Sequence, residues 1–226
     1  GPGPDAIALA MLQASRYGVA TQPGVGPSDA LIVFEDISDK EADILARDFL
    51  TEIEHGSDSR TYALTVDRRS AERLQNALNL QTANLFGHEA TYAEIAANGN
   101  AAIILFPSSE DILSFANAFA PEHLMLYVDP PHREKYLDEL TAVGELLIGK
   151  STPFTAANYC IGVTHVLPTS GFARAYSGIT SRQFVRHTTT AELEPSALRR
   201  LLPTVEAIGG AEGLPNHVQA VKARHA

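Results

Sequence analysis

Ala30-Leu31-Ile32-Val33-Phe34 is an unbroken apolar run, and the segment after it sets the architecture. Ser38 stands three residues before Glu41, the spacing of a capping box, in which each residue satisfies a free backbone or side-chain group of the other at a helix start. Apolar residues then recur at Ala42, Leu45, Ala46, Phe49 and Ile53, one stripe of a helix predicted over 40–55, with Gly56 placed to end it. A second β-branched and apolar run follows at 61–66. A strand, a helix and a strand at this spacing call for a crossover connection and a parallel sheet.

The same alternation continues outward. Further strands are predicted over 101–106, 125–128 and 145–148, and further helices over 70–78, 92–97, 110–119 and 132–140. From 149 to 178 the chain turns rich in Gly, Pro, Ser, Thr and Asn without a period, a long irregular stretch of the kind that more often carries function than not. A short run at 180–184 and helical patterns over 194–208 and 213–224 close the chain as a small helical appendage. The fold class expected is α/β, with a mainly parallel sheet and flanking helices.

The 226 residues allow one large domain or two small ones. The longest apolar run, 6–12, is far short of the roughly 20 residues a membrane helix needs. With 27 Asp+Glu against 17 Lys+Arg, bulk charge argues against a nucleic-acid or anionic-membrane partner. A single cysteine, Cys160, excludes an internal disulfide and fits a reducing, cytoplasmic compartment.

Several polar groups are candidates for chemistry. Glu52 and His55, three apart at the end of the predicted helix, share a face; a carboxylate and an imidazole at that spacing suit a metal, or are ordinary helix decoration. Glu122-His123 follows Pro121 at a helix-to-strand junction, an arrangement for acid–base work or, more commonly, a solvated loop pair. Cys160 with His165 offers a thiol and an imidazole, although a lone cysteine is more often buried and inert. His165 is otherwise a loop hydrogen-bonder, and Glu212 and His217, flanking the start of the last helix, look like surface residues. No G-x-G-x-x-G follows any predicted strand, so no dinucleotide fingerprint is visible.

Taken in order, Gly1-Pro2-Gly3, Gly26-Pro27-Ser28, Glu54-His55-Gly56-x-Asp58-Ser59, Ala120-Pro121-Glu122-His123-Leu124, Tyr159-Cys160-x-Gly162-x-x-His165-Val166-Leu167-Pro168-Thr169, Ser177-Gly178 and Glu212-Gly213-Leu214-x-x-His217 resemble histidinol dehydrogenase. The resemblance runs from the first residue to the last helix and matches roughly the second half of such a protein. It implies a cytoplasmic, zinc-dependent homodimer that oxidises L-histidinol to L-histidine through the aldehyde with two successive NAD⁺. By the same resemblance, 1–27 ends a first Rossmann-like domain and 28–182 forms most of a second. Residues 183–226 form a helical tail that contributes to a dimer interface, and the sheet is incomplete without an upstream half.

Position by position, the resemblance makes Glu122 and His123 the acid–base pair. The imidazole takes the substrate's hydroxyl proton, and the carboxylate activates the water that hydrates the aldehyde. Glu52, His55, Asn158 and His217 match metal ligands, His217 arriving from the partner subunit. Ser28, Glu52, His55, His123, Asn158, Glu212 and His217 match substrate contacts, Glu212 again across the dimer. Glu52 stands where the family has Gln, and Asn158 where it has Asp, so the carboxylate changes place while the formal charge does not. Pro4 replaces an Asn that contacts NAD and offers neither its amide nor a backbone N–H, leaving the NAD contacts of this chain unassigned. Three readings compete: a histidinol dehydrogenase, a relative oxidising another polar amino- or hydroxy-alcohol, and a non-catalytic metal- or ligand-binding scaffold or a fragment that works only with a missing partner chain. The small-molecule enzyme readings are favoured because the acid–base pair and the metal histidines occur together in order.

Overall fold

The computed structural model of the protein describes residues 5–22, 24, 26–83 and 89–224, in two compact units, 1–183 and 184–226. In the first, helix α1 (Asp5–Ser15) precedes β1 (Asp29–Phe34), α2 (Asp39–Thr51), β2 (Arg60–Thr65), α3 (Arg68–Thr82) and α4 (Glu89–Ala97). After these come β3 (Ala101–Leu105), α5 (Ser109–Phe119), β4 (His123–Tyr127), α6 (His132–Glu139), β5 (Glu145–Ile148) and α7 (Phe154–Tyr159). The strands form one all-parallel sheet in the order β3-β2-β1-β4-β5. This is the doubly wound order, growing one way from β1 and the other way from β4.

The central strand explains the layering. Every residue of β1 is buried, with Ala30, Ile32 and Phe34 in one core and Leu31 and Val33 in the other. A strand covered on both faces must be apolar throughout, which is why 30–34 shows no alternation. Helix α2 closes the first core with Ala42, Leu45, Ala46, Phe49 and Leu50, and α5 closes the second with Ile112, Leu113 and Ala116.

The capping box is formed: Ser38 Oγ accepts from the Glu41 N–H at 3.3 Å and Glu41 accepts from the Ser38 N–H at 2.7 Å. Helix α2 ends earlier than its apolar stripe predicts. It closes at Thr51, and Glu52–His55 forms a separate 3-10 turn before Gly56, whose φ of 147° lies in the region that favours glycine. Helix α3 starts two residues before its predicted bound because Asp67 accepts the N–H groups of Arg69 and Ser70. The stretch 149–178 is less irregular than its composition suggests, holding α7 and a 3-10 turn at Phe172–Arg174.

The second unit contains α8 (Pro195–Ala211) and α9 (Pro215–Lys222). A Cβ on Gly209 would lie 2.6 Å from Val218 Cγ2, so this glycine is what lets the two helices pack closely. Lys222 and Glu206 pair across them at 2.7 Å. No helix among the described residues is long and apolar enough to cross a membrane.

Candidate active site

Parallel sheets of this order usually bind ligands beyond the C-terminal ends of the strands, where the order reverses. A cavity of about 450 Å³ does lie there, between the ends of β1, β2 and β4. Three of its four carboxylates are already engaged. Glu35 accepts from Tyr136 Oη at 2.8 Å and pairs with His132, Asp67 caps α3, and Asp129 pairs with Lys150 at 2.6 Å.

The opposite end of the sheet is different. Glu52, Ser59, Thr61, Glu145 and Thr169 each bury a side-chain oxygen with no partner among the described residues, and the first four precede or open strands there. Buried polar atoms in that state call for an explanation, such as a catalytic role or a bound water or ion. A cavity of about 620 Å³ opens at this end, lined by Gly26, Ser28, His55, Asp58, Glu122, His123, Asn158, Tyr159 and His165, among others.

Glu122 and His123 are the buried ionisable members of that lining, 2% and 4% exposed, not a solvated loop pair. Three local features hold them. Ala120 ends α5 in the left-handed region at φ 53°, turning the chain sharply into Pro121 and β4. Asp29, at the start of β1, accepts the Glu122 N–H at 2.6 Å with one carboxylate oxygen and the Ser170 N–H at 2.7 Å with the other. The Glu122 carbonyl then accepts the Glu145 N–H at 2.8 Å, locking β4 to β5. A Cβ on Gly144 would fall 2.6 Å from that carbonyl oxygen. Gly144→Ala is therefore expected to displace Glu122 and lower turnover at least tenfold while the far-ultraviolet circular dichroism stays native; unchanged turnover would show that the pair tolerates the shift.

The electrostatics follow from burial. Glu122 is pushed up to about 7 by desolvation, with the negative charges of Asp29 and Glu52 adding to it, against the opposing pull of His123 and Ser28. Desolvation alone would lower His123, but the Glu145 hydrogen bond and the charges of Glu122, Glu52 and Glu145 together raise it. His123 Nε2 lies 3.7 Å from Glu122 Oε1, its Nδ1 lies 2.8 Å from Glu145 Oε2, and Phe154 packs edge-on at 5.9 Å between ring centres.

Ser28 Oγ sits 3.0 Å from Glu52 Oε2 and 3.0 Å from Glu122 Oε2. One hydroxyl has one hydrogen, so both contacts are hydrogen bonds only when one carboxyl is protonated, as the raised Glu122 allows.

Among the residues predicted from sequence, Ser28, His55, Glu122, His123 and Asn158 line one cavity, and Glu52 is buried directly behind Ser28. Among the described residues, no group of three or more His, Cys, Asp or Glu is placed to hold a metal ion. Glu212 and His217 belong to the second unit: Glu212 caps α8, and His217, inside α9 rather than beside its start, donates its N–H to Leu214 at 3.1 Å. Pro4 and the Gly1-Pro2-Gly3 stretch lie outside the described residues. Cys160 is exposed, not the buried residue expected. His165 is exposed and lines the cavity instead of bonding its own loop. Asp29 and Glu145 escaped the sequence reading; the only local signal was a carboxylate opening an otherwise apolar strand.

Comparisons with known proteins give the chain's family and fold relatives. The family model described as Histidinol dehydrogenase matches residues 1–225. A histidinol dehydrogenase of Methanosarcina barkeri is 33% identical over 226 residues, which cover 99% of this chain and 50% of that protein. One from Schizosaccharomyces pombe is 31% identical and is covered to 51%. The crystal structure of histidinol dehydrogenase from Elizabethkingia anophelis matches with a TM-score of 0.86 at 30% identity, over 99% of this chain and 50% of that one. The chain spans about half the length of the curated relatives it matches. A matching family model along nearly the whole chain and the same parallel sheet in a solved relative place the chain in the histidinol dehydrogenase family.

Proposed function

We propose that this chain carries the proton-transfer centre of an enzyme that oxidises L-histidinol to L-histidine through the aldehyde, acting as part of a cytoplasmic homodimer. The observation that carries the reading is the buried Glu122–His123 pair, whose carboxyl titrates near 7 beside an imidazole at the wall of a cavity. Groups that change protonation near neutrality are what general acid–base chemistry needs. Oxidising an alcohol removes a hydride from carbon and a proton from oxygen. His123 takes the proton, with Ser28, Asn158 and His55 orienting the substrate. In the second half, ionised Glu122 removes a proton from the water that adds to the aldehyde, and the hydrate is then oxidised to the acid. Glu212 and His217 of the partner subunit would complete the substrate and metal contacts.

The donors fit zinc by type: an imidazole from His55, an amide oxygen from Asn158, and a buried Glu52 Oε1 that has no hydrogen-bond partner among the described residues. Zinc, when bound, supplies a Lewis acid that holds the substrate's imidazole and amine. NAD⁺ is the hydride acceptor that family membership implies. The C-terminal crevice has a lining of mixed charge, with Arg69, Arg73 and His132 beside Glu35, Asp36, Asp67 and Asp129.

The reading is tested by metal content at the protein's native length. Zinc is expected in the purified protein and lost in His55→Ala; a folded, zinc-supplemented protein that holds none would overturn the metal assignment. A second reading, oxidation of another polar amino- or hydroxy-alcohol, is favoured by one observation. Glu52 is a wholly buried carboxylate tied through Ser28 to Glu122. Polar changes of this kind alter substrate choice strongly.

A further inference from the structure

We infer that Glu145 is a positioning residue: its carboxylate holds the proton of His123 on Nδ1, leaving Nε2 bare toward Glu122 and the cavity. This rests on the reading of His123 as the proton acceptor, and three observations support it.

First, the placement comes from the sheet, not from a mobile side chain. His123 and Glu145 are direct neighbours in the β4–β5 register, and backbone bonds from Gly144 to Pro121 at 2.9 Å and from Glu145 to Glu122 at 2.8 Å fix that register at the site. Second, the contact is short and dry. Nδ1 and Oε2 are 2.8 Å apart, with the two side chains 5% and 7% exposed. Third, the wholly buried Phe154 packs against the imidazole and closes one side of it.

A carboxylate accepts hydrogen bonds and donates none, so a 2.8 Å contact requires the hydrogen on Nδ1. Which ring nitrogen is protonated is set by the bond the other one makes. Free imidazole side chains prefer the opposite tautomer, in which Nε2 carries the hydrogen and has no lone pair to offer an alcohol. Glu145 Oε1 has no partner among the described residues, so the directed bonding of this carboxylate goes to His123. Glu145 is outside the cavity lining and thus acts through His123.

The test is made on the native-length protein with ¹⁵N-labelled histidine rings, at alkaline pH where the imidazole is neutral. The His123 signals are identified by their loss in His123→Gln. The wild-type ring is expected to be the Nδ1–H tautomer, and Glu145→Ala is expected to move the hydrogen to Nε2. The same variant should lower kcat for L-histidinol by about tenfold or more, as loss of a carboxylate that fixes a catalytic histidine's tautomer does, with KM changed much less. Glu145→Gln guards against loss of the fold. Its amide either accepts or donates, so both tautomers should appear. A wild-type ring protonated on Nε2, or a tautomer unmoved by both variants, would overturn the inference. So would a moved tautomer with kcat unchanged in an active enzyme. Should the wild type show the Nδ1–H ring and yet turn over no L-histidinol, the tautomer assignment holds and the functional reading fails.

Discussion

Replacing His123 by alanine is expected to lower the rate of L-histidinol oxidation by a hundredfold or more, within the roughly 10²–10⁴ that a positioned general base contributes. The imidazole is buried beside two carboxylates, so its affinity for a proton is raised, and it faces the cavity that Ser28, His55 and Asn158 also line. Without it, the buried carboxylate left in the cavity lining is Glu122, which is needed in its own protonation cycle, and Glu145 lies outside that lining. Steady-state kinetics on native-length protein give the answer. A rate within threefold of wild type would remove His123 from the mechanism.

Glu122→Gln is expected to separate the two halves of the reaction. The amide cannot be ionised, so aldehyde supplied directly should be converted to acid about a hundredfold more slowly, while alcohol oxidation falls much less. Equal losses in both halves would contradict a role in activating water. The same variant carries a stability signature. The carboxyl sits at about 7 in the folded protein against an ordinary 4.5, so the native state holds its proton across that interval and the unfolded chain does not. Its contribution is therefore fully present below 4.5 and is lost as pH rises through 7. Denaturant titrations should show Glu122→Gln gaining on the wild type as pH rises through this window, and no such gain below it.

The parallel sheet was legible because its signals are local. The apolar run at Ala30–Phe34 and the Ser38–Glu41 box are each complete within a few residues, and both are present in the folded chain. The capped turn at Glu52–His55 was not legible, because the apolar stripe continues through Ile53 after the helix has tightened. Helix α7 was hidden by the Gly- and Pro-rich composition around it, and Phe154 and Ala157, buried in the first core, anchor it.

Glu122 and His123 were readable as chemically able but not as buried. Their burial comes from β1, β5 and Phe154, elements that no local window joins. Asp29 and Glu145 reach the pair across sequence separations of 93 and 22 residues, and only the strand order brings them there. Likeness to a known family suggested roles for individual residues, and the fold brings Ser28, His55, Glu122, His123 and Asn158 to one cavity.

The most direct measurement is the stoichiometry of the native-length protein with L-histidinol and NAD⁺, followed by product identification, with His123→Ala in parallel. The expected result is two NAD⁺ reduced for each L-histidinol consumed, L-histidine as product, and both lost in the variant. No NAD⁺ reduction by folded, zinc-replete protein, or reduction that His123→Ala leaves intact, would contradict the account.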